Sequence, residues 1–129
     1  INSNLGFTAE DRRENIRRIA EIGKLFVHTG IVTLACFVSP TREIRRMARQ
    51  IVGERDFLEV YVSTPAEECE RRDVKGLYQR ARRGEVKNFT GISAPFEAPE
   101  HPDLSIDTSV LTLQECVQSV VDLINNSQK

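Results

Sequence analysis

Residues 71–91 combine positive charge, mobile backbone and aromatic rings in one short stretch. Arginines and lysines alternate there with three glycines, and the stretch also contains Tyr78 and Phe89. Guanidinium and ammonium groups attract phosphate or sulfate oxygens, and an aromatic ring can stack on a purine base. Because Gly76 and Gly84 bracket a short helical run, the pattern is typical of a flap that closes over a ligand. The stretch therefore favours an anionic, ring-bearing ligand, with a plain solvated basic helix as the alternative.

The segments before this basic stretch are predicted to alternate between helix and strand. Thr8 can cap a helix with Asp11 three residues later, and Gly30 is suited to end it. Residues 31–38 are almost continuously apolar, as in a strand that helices cover on both faces. We therefore expect a central parallel strand at residues 31–38.

A second helix is expected to begin with Ser39 as its N-cap and Pro40 at the first helical position. Gly53 is expected to end this helix. A second strand is predicted for residues 57–62, and a further capped helix then leads into the basic stretch.

The segments after the basic stretch complete an α/β pattern. Prolines keep residues 92–103 irregular, and residues 104–106 are predicted to form a short strand. Thr112 and Glu115 have the spacing of a capping box that opens the last helix. This order of elements predicts an α/β layered domain whose parallel sheet has three strands.

Composition limits the class of protein. A chain of 129 residues with 40% hydrophobic residues fits one domain with one core. The net charge of −1 argues against broad nucleic-acid binding. Cys36, Cys69 and Cys116 form no Cys-x-x-Cys pair, so we expect buried thiols in a reducing compartment. No apolar run is long enough to span a bilayer. We therefore expect a cytoplasmic location and no membrane association.

Five blocks of the sequence occur in an order and at a spacing that are specific in combination. They are Leu5-Gly6-Phe7; Asp11-Arg12-x-Glu14-Asn15-Ile16-Arg17-Arg18; Phe37-Val38-Ser39-Pro40; the basic stretch, with Arg72-Asp73-x-Lys75-Gly76-Leu77-Tyr78, Ala81-Arg82-x-Gly84-Glu85 and Phe89-Thr90-Gly91-Ile92; and Pro95-Phe96-Glu97-Ala98-Pro99. Together they resemble adenylylsulfate (APS) kinase over most of the chain. The resemblance implies a three-layer α/β/α P-loop kinase-like fold with a parallel sheet, in a single domain of residues 1–129 with a mobile lid at about residues 72–91. It also implies transfer of the γ-phosphate of ATP, bound with Mg²⁺, to the 3′-hydroxyl of APS, which gives PAPS in sulfate assimilation.

The same resemblance implies roles for individual residues. Phe7 and Phe89 correspond to the aromatic pair that encloses the APS adenine. The other residues that correspond to APS contacts are Arg12, Asn15, Val38, Ser39, Lys75 and Asn88. Arg72 corresponds to an arginine that stacks on the ATP adenine, and Leu111 to backbone that lines the ATP pocket. Lys75 is the implied contact to the phosphosulfate; for Ser39 a phosphoserine role and a simple N-cap role both stay open, since direct transfer needs no covalent step.

Two family features do not occur in the sequence. There is no Gly-x-x-x-x-Gly-Lys-[Ser/Thr] loop to hold ATP phosphates, and no Asp-Gly-Asp-Asn block. We therefore expect the chain to be the C-terminal portion of an APS kinase domain, with a natural truncated paralogue as the alternative. In that case residues 31–38 lose strand neighbours, so the isolated chain is expected to fold poorly and to be inactive alone.

Two other functions stay open at this point. A catalytically inactive regulatory domain, of the kind fused to some ATP sulfurylases, would bind PAPS, although the intact lid favours the kinase. A nucleic-acid-binding surface is a weaker third reading, because the charge is near neutral and no known binding fold is recognised. The resemblance also leaves a homodimer and a fused or associated ATP sulfurylase open.

Overall fold

The computed structural model describes residues 1–127. The elements of this part of the chain are five α-helices, one 3₁₀ turn and two short strands. In chain order they are α1 (Ala9–His28), α2 (Arg42–Val52), the 3₁₀ turn (Glu54–Asp56), β1 (Val60–Val62), α3 (Ala66–Arg72), α4 (Leu77–Arg82), β2 (Leu104–Ile106) and α5 (Leu113–Ser127).

These elements belong to two compact units. The first unit consists of Ile1–Phe57 and Lys87–Ala98, and the second consists of Leu58–Val86 and the chain from Pro99 onward. The basic stretch is shared, since its last five residues belong to the first unit. The expectation of a single domain stays a prediction.

The first unit is built on the packing of α1 against α2. Ile16 and Ala20 of α1 are buried together with Ile44 and Ala48 of α2. The two residues of each pair are four positions apart, so each helix places its pair on one face, as the apolar spacing predicts. Met47, Ile51, Val52 and Phe57 pack around this core.

The ends of α1 follow the sequence signals. Thr8 is the N-cap, and its hydroxyl accepts a hydrogen bond of 3.1 Å from the Asp11 backbone N–H. Gly30 follows the C-terminal end with φ of 80°, a left-handed conformation that glycine adopts without strain. Both predicted boundaries of this helix are confirmed.

The predicted central strand at residues 31–38 is wrong for this structure. The segment is irregular and its apolar side chains are exposed; Leu34, for example, is 71% exposed. Strands are held by backbone bonds to a neighbour. Within residues 1–127, the only such bond from this segment runs from the Ile31 N–H to the Phe26 carbonyl, at 3.1 Å. Cys36 is consequently exposed, whereas Cys116 is buried as expected.

The start of α2 also differs from the prediction. The N-cap is Thr41, whose hydroxyl accepts from the Ile44 N–H at 3.4 Å, so Ser39 does not cap the helix. The Arg42 N–H donates instead to the Glu97 carboxylate at 2.7 Å. A carboxylate from 55 residues away therefore satisfies a donor that local sequence leaves open. The end of α2 at Gly53 is as predicted.

The second unit contains the sheet. Strands β1 and β2 are parallel, with Val60 opposite Leu104 and Val62 opposite Ile106. The sheet of residues 1–127 thus has two strands rather than three. Helix α5 packs on β2 and begins with the predicted capping box, in which Thr112 and Glu115 each bond the other's backbone N–H.

Candidate nucleotide-binding site

Arg12 joins two of the predicted APS contacts in the first unit. Its Nη2 donates a 2.7 Å hydrogen bond to the Asn88 carbonyl oxygen, and its guanidinium carbon lies 5.8 Å from the centre of the Phe7 ring. The second distance is that of a cation–π contact. Phe7 is 68% exposed, so most of its ring remains available to a ligand.

Asn88 has a backbone conformation that is uncommon outside glycine. Its φ is 55°, in the left-handed region that asparagine tolerates better than most residues. The carbonyl of Asn88 meets Arg12 from this conformation. The asparagine at this position is therefore compatible with the left-handed backbone.

Phe89 opens a tight loop directly after Asn88. Its N–H donates to the Ser93 hydroxyl at 2.8 Å, and its carbonyl accepts from the N–H groups of Ser93 and Ala94. Gly91 closes the loop by donating to the Ala94 carbonyl at 2.8 Å. Hydrogen bonds of its own backbone therefore help to fix the position of the half-buried Phe89.

Asn15 lies one turn after Arg12 on α1 and has a partner that the sequence analysis missed. The side-chain amide of Asn2 donates to Asn15 Oδ1 at 2.7 Å. The Oδ1 atom of Asn2 is itself buried and has no hydrogen-bond partner among residues 1–127. Asn15 Oδ1 accepts one bond and has a second lone pair, so the Asn15 side chain can still accept from a ligand and can donate through its amide hydrogens.

The ion pair of Glu14 and Arg18 fixes the loop of residues 1–6. Glu14 accepts from Arg17 and Arg18, which lowers the Glu14 pKa to about 2 because both guanidinium groups bond its charged form. Arg18 also donates to the Ile1 carbonyl at 2.7 Å and to Asn4 Oδ1 at 2.8 Å. The loop that carries Asn2 is therefore tied to α1.

Val38 and Ser39 lie where residues 31–38 lead into α2. Val38 is 58% exposed and Ser39 is half-buried. The Ser39 carbonyl accepts a 2.7 Å hydrogen bond from Arg45 Nη1. Arg45 therefore fixes the backbone of Ser39, and it is a second residue that the sequence analysis did not single out.

The second unit contains the two predicted ATP contacts, Arg72 and Leu111. At the end of α3, Arg72 donates to Glu68 at 2.7 Å and to the hydroxyl and carbonyl oxygens of Thr108 at 2.7 and 2.9 Å. Leu111 belongs to the turn of residues 107–111, where its N–H donates to the Asp107 carbonyl. Arg72 and the turn of residues 107–111 are therefore brought together.

The charge on Glu68 is stabilised in this arrangement. Hydrogen bonds from Arg71 and then Arg72 lower the Glu68 pKa to about 2. Glu68 therefore stays ionised at neutral pH and orients the plane of the Arg72 guanidinium.

Lys75 lies in the connection between α3 and α4 and is exposed. Gly76 next to it has φ of 64°, and Gly84 beyond the end of α4 has φ of 75°. The predicted helical run between these two glycines is confirmed by α4. A further ion pair joins the lid to α3, because Arg82 donates two hydrogen bonds of 2.9 and 2.8 Å to Glu70.

The units divide the predicted contacts between them. The first unit contains Phe7, Arg12, Asn15, Val38, Ser39, Asn88 and Phe89, and the second contains Arg72, Lys75 and Leu111.

No group of histidine, cysteine and carboxylate side chains within residues 1–127 has the arrangement of a metal site. None of the helices described for this chain is long and apolar enough to cross a membrane.

Comparison with known proteins places the chain in a family. A family model described as adenylylsulphate kinase matches residues 1–107. Adenylyl-sulfate kinase of Phocaeicola vulgatus is 71% identical over 124 residues, which cover 96% of this chain and 61% of that protein. The corresponding protein of Clostridium kluyveri is 50% identical over 125 residues, which cover 97% of this chain and 62% of the relative. The chain thus spans about three fifths of the length of these curated relatives.

A solved structure gives the same result for the fold. The Mycobacterium tuberculosis APS kinase in complex with AMPPNP and APS superposes with a TM-score of 0.92 at 41% identity, covering 96% of this chain and 72% of that one. This likeness confirms the predicted α/β kinase fold with a parallel sheet. The chain belongs to the adenylylsulphate kinase family.

Proposed function

We propose that this chain provides the APS-binding residues and the lid of an adenylylsulfate kinase, which transfers the γ-phosphate of ATP to the 3′-hydroxyl of APS and yields PAPS. The observation that carries the proposal is the position of Arg12, which meets the Phe7 ring and the backbone immediately before Phe89. Family membership and the APS and AMPPNP bound to the M. tuberculosis relative support it.

On the APS side, the exposed Phe7 ring offers a stacking face for adenine, with Phe89 as its proposed partner. Arg12 adds a cation with several N–H donors close to that face. The amide hydrogens of Asn15, one turn away, can donate to a sugar or phosphate oxygen. Purine stacking and anion binding are therefore available within the first unit.

On the ATP side, Arg72 is held by Glu68 and Thr108 so that its planar guanidinium can lie over an adenine ring. We propose that Leu111, in the turn after Thr108, lines the same pocket through its backbone. An arginine that is already oriented loses less conformational entropy when the base binds.

Lys75 is the proposed contact to the phosphosulfate of APS. Phosphoryl transfer requires positioning and charge neutralisation more than covalent chemistry, and an exposed lysine beside Gly76 suits that requirement. We propose that transfer is direct and that Ser39 contacts APS without becoming phosphorylated. Mg²⁺ is proposed to enter with the ATP phosphates.

The remaining family expectations stay proposals. ATP as a co-substrate favours the cytoplasm as the place of action. A homodimer and a fused or associated ATP sulfurylase are compatible with the family and are proposed only as partners to test by mass measurement of the purified protein.

A chimera tests the proposed function. In this protein, named the Phocaeicola chimera, the matched part of our chain replaces its counterpart in the P. vulgatus relative, which is 71% identical over that part. We expect PAPS formation from ATP and APS with kcat/KM within about tenfold of the parent, a difference of about 1.4 kcal/mol. A chimera that unfolds cooperatively and binds ATP but does not turn over APS would refute the proposed kinase function. If that inactive chimera still bound PAPS tightly, the result would support a regulatory, PAPS-binding function in its place.

A further inference from the structure

We propose that Arg45 is a positioning residue for APS, because it fixes the backbone of Ser39 and of the segment that follows the Phe89 loop. This inference rests on the proposed function. Arg45 itself is not assigned a contact with the substrate. Its role is to hold two backbone segments in one arrangement before APS arrives.

The contacts of Arg45 join segments that are far apart in sequence. Arg45 Nη1 donates to the Ser39 carbonyl at 2.7 Å, and Nη2 donates to the Glu97 carbonyl at 2.6 Å. Its guanidinium carbon also lies 5.6 Å from the centre of the Phe96 ring. A planar group with several fixed N–H donors can serve both carbonyls and the ring at once.

Further hydrogen bonds connect the two segments. The Glu97 N–H donates to the Pro40 carbonyl at 2.8 Å, and the Glu97 carboxylate accepts from the Arg42 N–H at 2.7 Å. Arg42 Nε donates to the Ala98 carbonyl at 2.9 Å. Residues 95–98, named the strap, are therefore fastened to the beginning of α2.

The strap is short enough in sequence to restrict Phe89. Residues 89–94 form a turn closed by backbone bonds, and Pro95 leads from this turn directly to Phe96 and Glu97. The loop that carries Phe89 is thus limited at its C-terminal end by the contacts of Arg45. Since Ser39 and Phe89 are both proposed APS contacts, one guanidinium influences both.

The effect of losing Arg45 should be specific to APS. Removing the guanidinium leaves the carbonyls of Ser39 and Glu97 without this donor, so the two segments stay joined through Arg42 and Pro40 but are held less firmly in one arrangement. The proposed ATP contacts Arg72 and Leu111 belong to the other unit and have their own hydrogen bonds. A positioning role therefore predicts a change in the KM for APS that the KM for ATP does not share.

The test uses three variants of the Phocaeicola chimera. Arg45→Ala removes the guanidinium, Arg45→Lys retains the charge but offers one ammonium where two carbonyls must be reached, and Arg46→Ala is the matched control from the exposed side of the same helix. For Arg45→Ala we expect a rise of about tenfold in the KM for APS, equal to about 1.4 kcal/mol. Arg45→Lys should show a smaller rise in the same KM, and the KM for ATP should change less than about twofold in all three.

The outcomes separate the inference from the function on which it rests. An unmodified chimera without kinase activity would refute the proposed function. In an active chimera, Arg45→Ala and Arg45→Lys could leave the KM for APS unchanged or raise both KM values equally. Either result would refute the positioning role of Arg45 and leave the proposed function standing. If Arg45→Ala fails to fold, the comparison of Arg45→Lys with Arg46→Ala decides the question.

Discussion

Replacing Phe7 with alanine should weaken APS binding at a modest cost in protein stability. The ring is 68% exposed, so its largest proposed contribution is to a bound purine rather than to the core. Its one described aromatic contact is with Arg12, at 5.8 Å. The substitution therefore separates a binding role from a folding role.

The two magnitudes can be worked out from this exposure. Full burial of a phenylalanine side chain stabilises by about 1.5–3 kcal/mol, so the buried third of Phe7 contributes about 0.5–1 kcal/mol. An exposed cation–π contact with Arg12 adds about 0.5–1 kcal/mol. Stacking on the APS adenine is worth about 1–3 kcal/mol, or about 5- to 150-fold in affinity. The expected loss in stability is therefore about 1–2 kcal/mol, and the expected loss in affinity, about 1–3 kcal/mol, extends above it.

The assay compares KM values for APS and ATP in the Phocaeicola chimera. Phe7→Ala should raise the KM for APS within the range given, Phe7→Leu should raise it less, and neither should raise the KM for ATP more than about twofold. Phe26→Ala, which removes a 46% exposed ring elsewhere on α1, is the matched control. Equal increases for both nucleotides, or an unchanged KM for APS, would refute the stacking assignment.

Three further predictions concern the serine, the lid and acid stability. Ser39→Ala should leave substantial turnover; complete loss of turnover with folding and nucleotide binding intact would restore the phosphoserine mechanism. Arg82→Glu should place like charges opposite Glu70 and speed hydrogen exchange of the α4 amides, with Glu70→Arg in the same protein slowing it again; equal exchange in all three proteins would show that the pair does not hold the lid. Glu68 has its pKa lowered to about 2, so its stabilisation is complete above its unfolded pKa of 4.5 and is lost as the pH falls towards 2. The melting temperature of the unmodified chimera should therefore exceed that of Glu68→Gln at about pH 6, and this difference should shrink by about pH 3; a constant difference would contradict the linkage.

Signals that act within one helical turn could be predicted from sequence. The caps at Thr8 and Thr112, and the glycine ends at Gly30 and Gly53, depend on residues within four positions of each other. The same holds for α4, whose bounds follow from Gly76 and its neighbours. Local backbone chemistry decides these positions, so the printed residues contain the necessary information.

Features that depend on distant partners could not be predicted in this way. The strand prediction for residues 31–38 rests on its apolar residues, but a strand also needs a neighbour to bond, and residues 1–127 place none beside it. The cap of α2 moved from Ser39 to Thr41 in a structure where Glu97 supplies a carboxylate to that end. Arg12 meets a backbone carbonyl 76 residues away, which no side-chain pattern reports.

Asp73 has a consequence for how this region can vary. It ends α3 with φ of 24°, and its two carboxylate oxygens accept from the Tyr78 and Gln79 N–H groups at 3.0 Å, so one residue finishes one helix and starts the next. A side chain with one carbon between backbone and carboxylate cannot follow those amides if the spacing changes. Insertions and deletions between Asp73 and Tyr78 should therefore be rejected during evolution, even where individual side chains in that interval are free to change.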